Sequence, residues 1–340
     1  MSPARLALLA ALAAPSLWAA TARAATIEVG PHRPITSPAA AIASAAEGDI
    51  IAIDAGDYFE CLRPRVPGLT IEGGGTGAVF TDTTCDGKAV IVVQADRLTL
   101  RNLTLQRARV ADGNGAGIRA EGKRLTLQHL RFINNQAGLI TTNEPAADIT
   151  ITDTLFTNTG RCTSERCSAA IHAGAIRRLR LERTEISGVA GGPAITSAAA
   201  ATQIINSRIE DSAQTGASFQ LLIPSGGSVL LEGNTLRKSP HAASLRAAIL
   251  LDGSITGPVT LRRNRYINDT GHAVPFVLDW SSATPRLEDN ILPPGETALS
   301  SNGITVHRAI GLARDAHGAA WRAAGAAKRG AVDFYRAIWP

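Results

Sequence analysis

A short alternating pattern of apolar and polar positions recurs along most of the chain. Copies begin at Leu98, Leu125, Ile149, Leu179, Thr202, Val229, Val259 and Pro285. Each copy, as in ITITDTLFTNT, alternates over four or five residues and then reaches a turn rich in Gly, Asn or Asp, which predicts a β-strand. The copies follow one another at offsets of 23 to 30 residues, which does not suit two-helix repeats of ~33–34 residues. We therefore predict an all-β fold, a right-handed parallel β-helix over residues 25–300, in which loops of different length leave the turns.

The sixth position of each copy supports this prediction. From the third copy onwards it is always a hydroxyl or an amide side chain: Thr154, Thr184, Ser207, Asn234, Asn264 and Asn290. Stacked at one corner of successive coils, such side chains can bond the backbone of the next coil. Asn also favours turns on its own account, and both explanations are compatible with the pattern.

Both ends of the predicted β-helix need a cover, because an open stack of strands exposes unpaired backbone groups. At the N-terminal end, Ser37 is suited to cap a short helix that has Pro38 in its first turn and runs through residues 39–46. A turn at Gly48 then leads into a strand over residues 50–53. At the C-terminal end, the sequence of residues 301–340 predicts an amphipathic helical cap. The alternative for this tail is a basic arm that contacts a membrane surface or an acidic polymer.

Residues 1–24 resemble a secretory signal peptide, with Arg5, an apolar stretch over residues 6–20 and the cleavage pattern Ala22-Arg23-Ala24. We therefore expect a secreted or periplasmic protein, and no later stretch is long and apolar enough to form a transmembrane segment. The net charge is +5, but the tail from Ser301 carries six Arg or Lys against two Asp. The β-helix itself is close to neutral, so the charge gives no support to a nucleic-acid partner.

The four cysteines form an even set, which in an exported protein is compatible with disulfides. Cys61 and Cys85 lie about one coil apart and would stack in adjacent coils. Cys162 and Cys167 lie close together in a loop rich in Gly and Ser. We predict both pairs as disulfides, the alternative being four free thiols.

The stretch AAIASAAEGDIIAIDAGDY and the coils that follow resemble the pectate-lyase-like superfamily of right-handed parallel β-helix proteins. This resemblance implies polysaccharide lyases, glycoside hydrolases, carbohydrate esterases, epimerases or non-catalytic relatives, and Ca²⁺ as cofactor if the chain is a lyase. Residues 56–60, GDYFE, resemble a Gly-x-Tyr-x-Glu stretch of pectin methylesterases. The later catalytic motifs of that family and of polygalacturonases are absent from the sequence.

A second set of strands precedes the repeats and predicts an outward face. We align GIRAE (117–121), GLITT (138–142), AIHAG (170–174), AITSA (194–198), SFQLL (218–222), AILLD (248–252) and PFVLD (275–279). Side chains alternate across a strand, so the third and fifth positions of each segment face outwards. This alignment predicts that Asp252 and Asp279 stack about 4.8 Å apart, with Gln220 and Trp280 beside them. Two carboxylates at that spacing suit acid and base roles in glycoside cleavage, and Trp suits stacking on a sugar ring.

The other end of the predicted face carries Arg119, Glu121 and His172, with Asn143 and Glu144 in the following loop. We take Asp252, Asp279, His172 and Arg119 as candidate catalytic residues, and Gln220, Glu121, Trp280, Asn143 and Glu144 as candidate substrate contacts. Each has a plainer alternative. Asp before Gly often forms a turn, an Arg–Glu pair is often a surface ion pair, and a lone His is often structural.

Two functional hypotheses remain open from the sequence. In the first, the chain is an exported carbohydrate-active enzyme, a polysaccharide lyase or glycoside hydrolase, that works along this face. In the second, it is a non-catalytic β-helix that binds polysaccharide or serves the cell envelope. The first is preferred only because this fold so often acts on glycans, which is an analogy of fold.

Overall fold

The computed structural model describes residues 24–75, 77–163 and 167–301. These residues form three parallel sheets, called A, B and C, that the chain visits in turn on every coil. Each strand pairs with its equivalents one coil before and after, so the core is a stack of coils. The all-β, parallel β-helix prediction is confirmed. The predicted signal peptide and the C-terminal cap or tail lie outside the described residues.

Within the described residues, sheet A contains eleven strands: Thr26–Val29, Ile50–Ile53, Thr70–Gly73, Leu98–Arg101, Arg124–Gln128, Asp148–Thr152, Arg178–Glu182, Ala201–Ile205, Ser228–Glu232, Val259–Arg262 and Arg286–Glu288. Sheet B, over the same part of the chain, contains nine: Gly56–Tyr58, Ala78–Thr81, Leu103–Gln106, Arg131–Ile133, Leu155–Thr157, Glu185–Ser187, Arg208–Glu210, Thr235–Lys238 and Arg265–Asn268. Sheet C, counted in the same way, also contains nine: Ala89–Val93, Ala116–Ala120, Ala137–Thr141, Ile171–Ala173, Ile195–Ser197, Leu221–Ile223, Ile249–Leu251, Val277–Asp279 and Leu299–Ser300.

The interior is filled by apolar side chains that repeat from coil to coil. In sheet A, Leu125 and Leu127 stack on Ile149 and Ile151 of the next coil, and all four are buried. In sheet B, the rings of Phe132 and Phe156 are parallel, with centroids 4.3 Å apart. Stacking of like side chains on successive strands therefore builds the core, as the repeat predicts.

The turn from sheet A to sheet B has a fixed backbone shape. In successive coils, one residue of this turn has a positive φ, between 47° and 68°: Asn102, His129, Asp153, Arg183, Asn206, Gly233, Arg263 and Asp289. This left-handed conformation is unfavourable for residues other than Gly, and Asn and Asp accept it more readily. Its recurrence turns the chain from sheet A into sheet B at the same place on successive coils.

From Thr154 onwards, the residue after the left-handed position forms the predicted polar ladder. The amide of Leu130 donates to Thr154 Oγ1 at 3.3 Å, and the amide of Ser207 donates to Asn234 Oδ1 at 2.8 Å. Asn234 and Asn264 continue the ladder, because each backbone amide donates to the Asn side chain one coil further on, at 3.0 Å. A second ladder, in which Asn135 accepts from the amide of Ala108, was not predicted. Both ladders satisfy buried amides between coils.

The N-terminal cover also agrees with the prediction. The helix Pro38–Ser44 begins after Ser37, whose Oγ accepts from the amide of Ala40 at 3.1 Å. Glu60, from a later coil, accepts from the Ser37 hydroxyl at 2.7 Å. This bond attaches the start of the helix to the β-helix below it.

Both predicted disulfides are present. Cys61 and Cys85 are bonded with their Cα atoms 5.4 Å apart, and Cys162 is bonded to Cys167. The first joins two adjacent coils, because Leu62 pairs with Ile91 in the strand that follows Cys85. Among the described residues, no helix is long and apolar enough to cross a membrane.

Candidate functional site

The outward face of sheet C forms a single column of side chains in parallel register. In order, this column contains Val92, Arg119, Ile140, His172, Thr196, Leu222, Leu250 and Leu278. After Val92, its first half carries the polar side chains of Arg119, His172 and Thr196 together with Ile140, and its second half is entirely apolar. The predicted stacking of Arg119, Ile140, His172 and Thr196 is confirmed.

A cavity of about 450 Å³ lies over the polar half of this column. Its polar lining includes Asn114, Arg119, Asn143, His172 and Thr196. Loops between sheets B and C form part of its wall, through Asn114 and residues 167–169. No carboxylate lines this cavity among the described residues, so its charged lining is the cationic Arg119.

Arg119 enters the cavity from the strand Ala116–Ala120. Its guanidinium Nε is buried and has no hydrogen-bond partner within the described residues. The nearest carboxylate oxygen, Glu121 Oε1, is 3.9 Å from this atom, which is too far for a hydrogen bond. A buried donor without a partner costs free energy, and a ligand in the cavity can reach only the 28% of the Arg119 side chain that stays exposed.

Glu121 lies beside Arg119 but is not part of the cavity lining, and its carboxylate is occupied by other partners. Its Oε1 bonds Lys88 Nζ at 2.9 Å, and its Oε2 accepts from Gln94 at 3.1 Å. Desolvation opposes ionisation of Glu121, but the bonds from Lys88 and Gln94 outweigh it and hold the pKa below its ordinary value. Glu121 is therefore an ionised neighbour of Arg119. Its role as a substrate contact stays a prediction.

The side chain of His172 is exposed, but it is exposed inside the cavity, whose walls surround it. Desolvation by these walls, followed by the positive charge of Arg119, lowers the pKa of His172 from its ordinary value. The imidazole is therefore neutral at pH 7 and can accept a proton.

Asn143 lies in the loop after the strand Ala137–Thr141 and lines the cavity. Its Oδ1 accepts from the amide of Ala175 at 2.9 Å, which fixes the orientation of the side-chain amide. Glu144 is not part of the cavity lining, and its Oε1 accepts from the amide of Ala146 at 3.0 Å within its own loop. The structure thus brings together Arg119, His172 and Asn143.

The predicted stack of Asp252 and Asp279 is wrong. Asp279 pairs with Leu251, not with Asp252, and it is 1% exposed. The structure pairs Ile249 with Val277, one residue later in the chain than the sequence alignment of PFVLD predicts. A slip of one residue exchanges the two faces of a strand. Phe276, which was aligned with Ile249, instead stacks on Tyr266 with ring centroids 5.4 Å apart. Asp279 accepts from the amide and hydroxyl of Ser281.

The predicted outward position of Gln220 is also wrong. Leu221, not Phe219, pairs with Ile195, so the alignment of this segment is displaced by two residues. Gln220 lies before the strand, is 0% exposed and donates to Asp211 Oδ1 at 3.0 Å. It supports the interior of the loop and does not face the groove.

Asp252 and Trp280 do lie on the outward side, at the end of the apolar half of the column. The Oδ1 atom of Asp252 accepts from the amide of Gly253 at 2.8 Å, as expected of a turn. Trp280 packs on the apolar cluster, with the Arg246 guanidinium 5.7 Å from its ring centroid. A catalytic role for Asp252 and a sugar contact for Trp280 stay predictions, without the second carboxylate.

The sequence reading missed the contributions of the loops to the cavity, namely Asn114 and residues 167–169. The closely spaced Cys162 and Cys167 could have indicated this contribution. They mark a disulfide-bonded loop that leads directly into a strand of sheet C, so the loop must lie next to that sheet. Which strand face it covers depends on loop shape, which the repeat pattern does not specify.

Among the described residues, no three His, Cys, Asp or Glu side chains come together as a cation site. The Ca²⁺ prediction therefore has no ligand set in this part of the chain.

No protein-family model matches the chain, and no curated protein matches it. Among solved structures, the chain is similar to the alginate lyase from Paenibacillus sp. strain FPU-7, with 14% identity and a TM-score of 0.64, over 82% of this chain and 98% of that one. It is also similar to the PL6-family alginate lyase AlyGC, with 18% identity and a TM-score of 0.54, over 79% of this chain and 40% of that one. At these identities the likeness shows the fold, and it confirms the predicted resemblance at that level.

Proposed function

We propose that this protein is an exported polysaccharide lyase that binds a uronate-containing polysaccharide in the sheet C cavity. The observation that carries the proposal is the cavity lining, which combines one guanidinium, one neutral imidazole and no carboxylate among the described residues. The two similar structures named above are both alginate lyases, which favours alginate as the first substrate to test. Export rests on the signal-peptide pattern of residues 1–24.

Arg119 is placed to bind the carboxylate of a uronate residue. Its side chain lines the cavity and is 28% exposed, and charge-assisted bonds between guanidinium and carboxylate are strong and directional. Binding of this kind makes the proton on the adjacent C5 more acidic, because the charge that develops on the carboxyl group during proton removal is stabilised. Asn143 supplies an amide on the same wall.

His172 then serves as the base in β-elimination. Its neutral imidazole takes the C5 proton, the electron pair of that bond forms the C4–C5 double bond, and the C4–O4 bond breaks. The imidazolium returns the proton to O4 of the departing sugar. The products are a new sugar hydroxyl and an unsaturated uronate, so no water or other reactant is consumed.

Hydrolysis is less well supported than elimination by the same geometry. Most glycoside hydrolases need two carboxyl groups on either side of the scissile bond. Asp279 is buried, Glu121 is occupied by Lys88 and Gln94, and Glu144 lies outside the lining. The paired-carboxylate mechanism therefore has no pair at this site in the described residues.

The test is an assay of the purified protein on alginate, pectate and a neutral glucan, following the ultraviolet absorbance of the unsaturated product. We expect absorbance to rise with a uronate polymer only. His172→Ala should reduce the rate at least a hundredfold, and Arg119→Ala should weaken both binding and rate. Thr126→Ala, on the outer face of sheet A, is the matched control and should match wild type. Binding of uronate polymers without any product would support the non-catalytic hypothesis instead.

A further inference from the structure

The outward column of sheet C changes character abruptly between Thr196 and the next coil. Thr196 lines the cavity, whereas Leu222, Leu250 and Leu278 continue the same column and are each 7% exposed. Together with Phe219 and Ala247 these three leucines form a separate apolar cluster, which we call the outer apolar cluster. It lies outside the main core of the β-helix.

The outward side chains of this column are nearly buried along its whole length: Ile140 and Thr196 in the cavity are 7% and 8% exposed, and the three leucines are each 7% exposed. On sheet A, Leu230 occupies such an outward position and remains partly exposed. Over the outer apolar cluster, Ala247 is fully buried and Trp280 packs against the leucines, with Arg246 above its ring. The two halves of the column therefore differ in their lining: the second half offers only apolar side chains, bordered by Trp280 and Arg246, and so gives a charged uronate no polar partner.

The opposite end of the column is apolar as well. Val92, the neighbour of Arg119 in the preceding coil, is 0% exposed and packs with the disulfide-bonded Cys85 and with Cys61. The Lys88–Glu121 ion pair lies beside it. The face that a polymer could follow thus ends on both sides of the cavity.

The open stretch covers four adjacent strands, from Arg119 to Thr196, or about 14 Å at ~4.8 Å per strand. We propose that the site takes the end of a uronate chain or a short oligosaccharide, and does not accept the middle of a long polymer. This inference rests on the proposed function, and it adds that cleavage proceeds from chain ends. A polymer that continued along the column beyond the cavity would have to displace the disulfide-bonded end on one side or the outer apolar cluster on the other.

The first test measures binding of uronate oligosaccharides, from dimer to octamer, to the His172→Ala protein by calorimetry. We expect affinity to rise with length for the shortest oligomers and then to stay constant. A continued rise up to the octamer would overturn the closed-end inference and leave the proposed function intact. No binding at any length, together with no turnover by wild type, would overturn both.

The second test removes the side chains that border the outer apolar cluster. Trp280→Ala combined with Arg246→Ala should restore a gain in affinity for the longer oligomers, whereas Leu245→Ala is the control. Leu245 lies in the same loop but is 44% exposed, so its removal should leave the length dependence unchanged. If this double variant keeps the wild-type plateau, the outer apolar cluster is not the boundary and this assignment is wrong.

A third measurement uses wild type on a long polymer. Release from chain ends should produce small unsaturated products from the start, while the viscosity of the solution falls slowly. An early loss of viscosity would show cleavage inside the chain and contradict the inference.

Discussion

A buried lysine allows the packing of the β-helix to be tested by pH. Lys238 is 0% exposed and its Nζ donates to the carbonyl of Ser218 at 3.1 Å, inside the loop that precedes the strand Leu221–Ile223. Desolvation lowers the pKa of Lys238 from 10.5 to about 8, and the charge of Asp211 offsets only part of this effect. Folding therefore opposes protonation of this side chain.

The sign of the pH dependence follows from linkage. Between pH 8 and 10.5 the unfolded chain holds a proton on Lys238 and the folded chain does not, so the free energy of unfolding rises with pH. Below pH 8 both states are protonated and the full cost of the buried charge is present. The difference between 10.5 and about 8 corresponds to about 3 kcal/mol at ~1.36 kcal/mol per pKa unit.

The assay compares urea unfolding of wild type and Lys238→Met at several values between pH 7 and pH 10. The contribution of Lys238 is the difference between the two curves, so the opposing effect of Tyr266, whose pKa is raised by burial, cancels. We expect wild type to gain about 2–3 kcal/mol relative to Lys238→Met over this interval. Lys123→Met, which removes an exposed lysine, should follow wild type. Parallel curves for wild type and Lys238→Met would refute the reasoning.

Four further predictions concern the site, the ladder and the disulfide between Cys61 and Cys85. Because the pKa of His172 is lowered, the pH at which the cleavage rate falls on the acid side should lie below the usual pKa range of histidine. A pH–rate profile measures this midpoint. Asn264→Ala should cost about 3 kcal/mol in urea unfolding, because it leaves the amide of Asn234 and the carbonyl of Leu231, both buried in the preceding coil, unpaired; an effect below about 1 kcal/mol would contradict the ladder. Replacing Cys61 and Cys85 with Ser should cost about 3 kcal/mol by the same measurement, because the unfolded chain gains the entropy of the opened loop. In the cleavage assay, Asp279→Asn should leave the rate unchanged.

Much of the fold could be predicted from the sequence, because the repeat fixes sheet A and the turn after it. The apolar positions of Leu125 and Ile149, and the polar positions of Asn234 and Asn264, recur at a constant distance from the strand. The strand and the turn carry their own local signals, so the alignment from coil to coil was correct there.

The candidate site could be predicted only in part. Arg119 and His172 were placed correctly, since the four segments from GIRAE to AITSA share the same inward isoleucine or leucine. The later segments begin after loops of other lengths, and Phe219 and Phe276 imitate that inward apolar position. An apolar residue indicates that a position is buried, but it does not show whether that residue or its neighbour pairs with the strand of the next coil. The sequence therefore could not decide whether Asp279 faces inwards or outwards.

The lengths of the connections divide the coil into two parts with different freedom to change. Between sheets A and B only two residues intervene on most coils, such as His129 and Leu130, and their left-handed backbone and ladder bonds allow no insertion. Between sheets B and C the connection varies from residues 134–136 in one coil to residues 158–170 in another. Residues added there alter the rim of the cavity without moving any strand. A protein built in this way can acquire a new ligand by changing loop length alone, while the pairing of its sheets is inherited unaltered.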